Sequence, residues 1–324
     1  MGKMSTSINH YLSDNRRFSD LFNGIFFQGK SVIHAENLQE ASQVYHEVMG
    51  ETGRSRGRKE RIRDICKQLK TGGILRVLAL ENQELTDYTM PFRCMQYDVM
   101  EYGKQLDELK KKNRQENHLA TMAEKICGLK RTDRIIPVYT ICLYHGEERW
   151  DGPRSLSDMM VFGDSEDSFK KNFKDYPMQL YCLNEAKDLQ IFHTEVGMLF
   201  QALQYRKDRA GLKQLLQQDC RYRQLDADTL ETMSVMLDMP SIWGERKKYM
   251  EKDNENREVY NMCQAVREWA EEERSIGADE RTHAVVRNML MRDMADEVIM
   301  AIAECDQEVI DEIRKHYNLI KGSL

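Results

Sequence analysis

The sequence has no run approaching the ~18 consecutive apolar residues of a membrane-spanning helix. Its opening stretch, MGKMSTSINHYLSDNRR, holds no apolar core of a secretory signal. Both absences lead to the expectation of a cytoplasmic protein with no membrane partner. Clustered cysteine is also missing. The eight cysteines (Cys66, Cys94, Cys127, Cys142, Cys182, Cys220, Cys263 and Cys305) form no C-x-x-C pair and no Cys/His group. That spacing excludes a zinc finger and argues against a disulfide scaffold. Several sit in apolar runs, such as Cys142 in VYTICLY, as buried reduced thiols do. An excess of positive charge is lacking too: the formal net charge is −6, which taken whole argues against a strong nucleic-acid binder.

What is present changes the meaning of that number. The chain has 324 residues, 41% apolar and 31% charged, with mean hydropathy −0.68, enough for a core and for about two domains. Residues 245–324 hold 13 basic and 19 acidic side chains and so carry the whole deficit. Residues 1–244 are balanced at 35 of each. Within that neutral part, Arg54–Lys70 (RSRGRKERIRDICKQLK) has eight basic and two acidic residues, a charge that can meet phosphates or simply be solvated.

Local patterning sets out the elements. DNRRFSDLFNGIFF reads as a helix with Asp14 at its N-cap and Phe18, Leu21, Phe22, Ile25 and Phe26 on one face. Residues 28–60 read as irregular and polar. A long helix is expected over 88–112, with Met95, Val99, Tyr102, Leu106 and Leu109 as its core stripe and Arg93 and Tyr97 on a different one. RIIPVYTICLYH and QLYCL read as strands, and 188–205 as an amphipathic helix. Beyond about 208 the chain reads as almost all helix, with 245–282 charged and either solvated or a linker helix. Two short helical segments around AECD at the end resemble a helix–turn–helix, with helix packing or self-association as their more natural use.

The most informative stretch is IRDICKQLKT-GG-ILRVLALENQ. A Gly-Gly pair between apolar-rich runs favours a two-residue hairpin, because both central residues need positive φ. If Thr71 pairs with Ile74, the register places Asp64 directly opposite Glu81. Gln83 follows on the face of Glu81. Facing carboxylates, about 5 Å apart at Cβ, repel unless something positive joins them. A hard divalent cation such as Mg²⁺ does so.

These residues carry a family resemblance. A first helix, an Asp on one hairpin strand, Glu-x-Gln on the next, then a helix and a further strand resemble the PD-(D/E)XK nuclease core. More narrowly, DNRRFSDLFNGIFFQGKSVI, IRDICK, LALENQELTDYTMPFRCMQYDVMEYGKQL, IIPVYTICLYHGEERWDGPRSLSDMM and the helix ending in QYRKD resemble the recombination-promoting nuclease (Rpn) or YhgA-like transposase family. The likeness spans about residues 10–210. It implies an α/β fold, a mixed sheet flanked by helices, over 10–207, followed by a helical part over 208–324. It further implies a DNA endonuclease using Mg²⁺ or Mn²⁺ in recombination or transposition. Asp64 and Glu81 match the metal-binding acids. Gln83 stands where the wider superfamily has lysine, and would orient a water or phosphate oxygen without supplying charge. Asp14 and Asp20 compete for a further acid from the first helix. Arg61 and Arg63 would bring the duplex to the site. Arg93 and Tyr97 would either contact the scissile phosphate or pack helix against sheet. Hydrolysis would proceed by in-line attack of water on phosphorus. The alternative is a weak or inactive DNA-binding or interaction protein retaining the fold. In either case the helical tail is a candidate for homo-oligomer contacts.

Overall fold

The computed structural model describes residues 3–48, 58–117, 119–163 and 168–321. Asp14 caps as expected: its carboxylate accepts from the backbone N–H groups of Arg16 and Arg17 and starts helix α2 (Asn15–Phe27). A helix not anticipated from the sequence, α1 (Lys3–Ser13), precedes it and buries Ile8, Tyr11 and Leu12. The polar stretch that follows also holds strands: β1 (Leu38–Glu40), β2 (Val44–Val48) and β3 (Arg58–Ile62). β2 and β3 pair as a separate antiparallel ribbon. Of the basic run, residues 54–57 lie outside the described residues, as do the side chains of 58–61.

The hairpin forms as β4 (Ile65–Thr71) and β5 (Ile74–Gln83). Helices α3 (Met90–Glu116) and α4 (Met122–Cys127) lead to β6 (Val138–Tyr144); α5 (Ser168–Asn172) leads to β7 (Gln179–Cys182). The five-stranded sheet has the order β1-β4-β5-β6-β7. β1, β4 and β5 are antiparallel, whereas β5, β6 and β7 run parallel. This is the mixed α/β sheet expected from the sequence.

Alternation along the strands gives each face its own core. Leu78, Leu80, Ile141 and Leu143 pack with α1, α2 and α6 (Glu195–Gln204). Cys142, Tyr144 and Cys182 meet Met90, Cys94 and Trp150 on the α3 side. The expected stripe of α3 is not its buried face. Val99 is 60% exposed, whereas Cys94, Tyr97, Asp98, Glu101 and Gln105 are buried, because the sheet presents polar groups beneath the helix. Helix α6 starts at Glu195 rather than near 188. Buried Asp20 accepts from the backbone N–H groups of His193 and Thr194 and from the Thr194 hydroxyl, holding the preceding segment as a loop.

The rest is helical, apart from one small hairpin: α7 (Arg209–Gln218), α8 (Ala227–Met236), α9 (Pro240–Gly244), β8 (Met250–Lys252), β9 (Glu258–Tyr260), α10 (Met262–Leu290), α11 (Asp296–Ala303) and α12 (Gln307–Lys321). The main core is continuous from Ile8 to Val266 in α10, and α8 packs directly on α1. Val286, Ile299, Ile310 and Ile313 form a separate small cluster.

Candidate active site

Gly72 and Gly73 hold φ of 58° and 78°, the left-handed values a tight hairpin turn needs. Thr71 pairs with Ile74, and the ladder runs without a slip to Ile65 opposite Leu80. The next step outward brings Asp64, the residue before β4, level with Glu81. There β4 ends, but β5 continues against β6, with Glu81 beside Cys142 and Gln83 beside Tyr144. Glu81, Asn82 and Gln83 are therefore held by a strand on one side only.

Asp64 is half-buried. Its Oδ2 accepts from the backbone N–H of Asn82 at 2.8 Å and its Oδ1 from Asn9 Nδ2 at 3.1 Å. The Asn82 amide donates in turn to Asn9 Oδ1, so α1 contributes an asparagine where an acid was considered. Asp14 caps and Asp20 ties a loop, and neither takes that place. Burial raises the Asp64 carboxyl above the ordinary aspartate value, against the lowering by these hydrogen bonds.

Glu81 is 1% exposed. Burial pushes its carboxyl up to about 8, against the lowering by Arg63 and with a further rise from Asp64. Its Oε1 lies 3.5 Å from Arg63 Nε and its Oε2 3.9 Å from Arg93 Nη2. Arg63 is fully buried. Its Nη2 donates to Asp98 Oδ1 at 2.5 Å and to Thr140 Oγ1 at 2.9 Å. Asp98 also accepts from the Thr140 hydroxyl (2.7 Å) and, at Oδ2, from the Tyr176 hydroxyl (2.5 Å). The Tyr97 ring lies 5.2 Å from the Arg63 guanidinium, and its hydroxyl donates to the Ile62 carbonyl. A buried chain thus runs Glu81–Arg63–Asp98–Tyr176.

Beyond Gln83, whose carbonyl accepts from the His145 N–H at 3.0 Å, lies a second buried group. His145 is 2% exposed, and neither ring nitrogen has a hydrogen-bond partner among the described residues. Burial, reinforced by the charge of Arg206, pushes the imidazole down to about 4. Arg206 donates to the His145 carbonyl at 3.4 Å and lies 3.9 Å from Glu147. It lines a cavity of about 490 Å³ together with Glu84, Tyr88, Tyr144 and Glu147. A Cβ at Gly146 would collide with the Glu84 carbonyl and the Tyr144 hydroxyl, so glycine is required there.

The residues read from the sequence are therefore placed as follows. Asp64, Glu81 and Gln83 lie at the open end of one hairpin. Arg63 is turned inward onto Glu81 and Asp98 rather than outward. Arg93 is 31% exposed and pairs with Asp87 at 2.5 Å as well as with Glu81. Tyr97 is buried against Arg63. The side chain of Arg61 lies outside the described residues. Among the described residues no group of three or more His, Cys, Asp or Glu is placed to hold a metal. The candidate donors are the two carboxylates; Glu81 Oε1 has no hydrogen bond but lies in an ion pair with Arg63 Nε, with which a hard cation would have to share it. Asn9, Asp98, His145 and Arg206 were missed. Asn9 gave no sequence signal, but Asp98, His145 and Arg206 stood inside CMQYDVM, HGEERWDGP and QYRKD, stretches that carry the family resemblance.

The five-stranded mixed sheet flanked by helices, followed by a helical part, defines a mixed α/β class of fold. The chain belongs to the family described as "Putative transposase, YhgA-like", whose model matches residues 66–231. That match takes in Glu81, Gln83, Asp98, His145 and Arg206 and begins two residues after Asp64. Family membership associates the chain with transposition and recombination. No curated protein and no solved structure matches it. No helix among the described residues is long and apolar enough to cross a membrane.

Proposed function

We propose that this protein is a divalent-metal-dependent DNA endonuclease that hydrolyses phosphodiester bonds in recombination or transposition. The observation that supports this most is that Asp64, one residue beyond the Ile65–Leu80 pair, binds the backbone N–H of Asn82 next to the buried Glu81. Asp64 and Glu81 would hold Mg²⁺ or Mn²⁺. Bound there, the ion supplies charge neutralisation and water acidification. The protein's own part is positional. Asn9 and the Asn82 N–H fix the Asp64 carboxylate, and Arg63, clamped by Asp98, fixes that of Glu81. Gln83 offers an amide to a water or a phosphate oxygen. Arg93, partly exposed, lies close enough to Glu81 to offer a guanidinium to the scissile phosphate.

Supercoiled plasmid incubated with Mg²⁺ or Mn²⁺ tests the reading. The wild-type protein nicks it, and Asp64→Ala and Glu81→Ala each lower the rate at least a hundredfold while remaining folded. No nicking with either metal by folded, DNA-binding protein contradicts it. That result would favour the second reading, a nuclease-fold DNA-binding protein without activity. Two features speak for that reading: Arg63 and Arg93 already oppose the charge of Glu81, and glutamine replaces lysine at 83.

A further inference from the structure

A second concave surface lies in the helical part, between α7 of the charge-balanced residues and α10 of the acidic ones. α7 and α10 enclose a cleft of about 420 Å³. Its walls carry Arg209 and Lys213 from α7 and Arg274 from α10, with Gln214, Gln217 and the half-buried Trp269 between them. Among the described residues that line it there is no carboxylate. Residues 245–324 hold the entire −6 of the chain. Among the described lining residues, therefore, the charged groups are cations only.

The cleft is built on rigid parts. Leu212 and Val266 at its base are 2% exposed and belong to the main core. The Arg209 guanidinium lies 5.3 Å from the Trp269 ring, which holds that cation at the mouth. Its position relative to the proposed catalytic end is also fixed. Arg206 lines the cavity beyond Gln83, and Arg209 lines the cleft. They are three positions apart in the chain, a span of at most about 11 Å. Lys207, between them, is tied at 2.5 Å to Glu148 of the loop after β6. Arg206 and Lys207 are paired with Glu147 and Glu148, so the cations offered to a ligand begin with Arg209 and Lys213 in the cleft itself.

We infer that the α7–α10 cleft binds the phosphate backbone of DNA leaving the proposed cleavage site, with Arg209, Lys213 and Arg274 on successive phosphates. The chemistry is sequence-independent and salt-dependent, because neutralised phosphates release counterions. The inference takes from the proposed function only that the ligand is DNA, and it does not require cleavage.

The test uses the full chain in EDTA, so that hydrolysis plays no part, and a fluorescein-labelled duplex of about 30 base pairs read by anisotropy. Arg209→Glu/Lys213→Glu/Arg274→Glu is compared with the wild type, each checked by its thermal melt. The triple variant is expected to bind at least tenfold more weakly at roughly 100 mM salt, and its log K against log salt slope to fall by about 2–3. If the reversed charges unfold the protein, the triple glutamine variant gives the same comparison. Unchanged affinity and slope overturn the inference, as does a wild type that binds inorganic phosphate but not the duplex. Asp64→Ala separates this from the proposed function. Loss of nicking with unchanged cleft-dependent binding leaves the cleft standing, whereas full nicking by a triple variant of unaltered affinity removes the cleft and leaves the nuclease.

Discussion

At the scale of single residues, the site is governed by what burial does to charge. Glu81 is enclosed, and burial holds its carboxyl up at about 8 even against the lowering by Arg63 and Arg93, so a further positive charge is needed to ionise it fully at neutral pH. Asp98 with Thr140 makes burial of Arg63 tolerable, and Tyr176 donates to Asp98 in turn. Removing one partner from such a chain typically costs about 3–5 kcal/mol, because another charge is left uncompensated. His145 is a second, independent case. Its imidazole ionises near 6.5 when unfolded but only at about 4 in the fold. The unfolded chain therefore takes up a proton that the folded chain refuses. Stability is full above pH 6.5, falls as pH drops through the window, and levels off below 4. The loss is about 3 kcal/mol. Melting temperatures of the wild type and His145→Gln across that window check this. The variant is expected to lose most of the slope, and equal slopes contradict the assignment.

At the scale of elements, the hairpin was legible and the helix above it only in part. Gly72-Gly73 announced the turn, and the turn fixed every pair as far as Ile65 and Leu80, one step short of Asp64 and Glu81. A side chain at a left-handed position is costly, by about 1–2 kcal/mol for a β-branched residue. Gly73→Val is expected to destabilise by that amount in urea unfolding, whereas Gly72→Asn stays within about 0.5 kcal/mol, since asparagine tolerates this conformation. Equal effects would refute the turn geometry. Helix α3 was located by Pro91, but its inward face was misjudged. Periodicity reasoning sends apolar residues inward, and here the sheet below offers Arg63, Glu81 and Thr140, so Asp98 and Tyr97 turn to meet them. The same reasoning passed over α1, whose polar Asn9 reaches Asp64, and the short polar strands β1, β2 and β3. His145 carries no periodic pattern as a lone histidine at a strand end, and only its place in HGEERWDGP could have marked it.

At the scale of the whole molecule, the charge division and the packing division fall in different places. The acidic excess begins near 245, but Tyr249, Tyr260, Met262, Cys263, Ala265 and Val266 belong to the main core. Only the cluster of Val286, Ile299, Ile310 and Ile313 stands apart. A chain ending at residue 282 is therefore expected to melt within a few degrees of the full protein. One ending at 244 loses six core side chains, at about 1.5–3 kcal/mol for each large one, and should not fold. Circular dichroism of the two truncations decides, and a folded 1–244 fragment would contradict the continuous core. The central claim, that one hairpin end brings Asp64 and Glu81 onto a shared divalent cation, is tested most directly by anomalous scattering from crystals grown with Mn²⁺. The account predicts manganese liganded by both carboxylates. Absence of manganese there, with Glu81 still facing Arg63 and Arg93 alone, would contradict it.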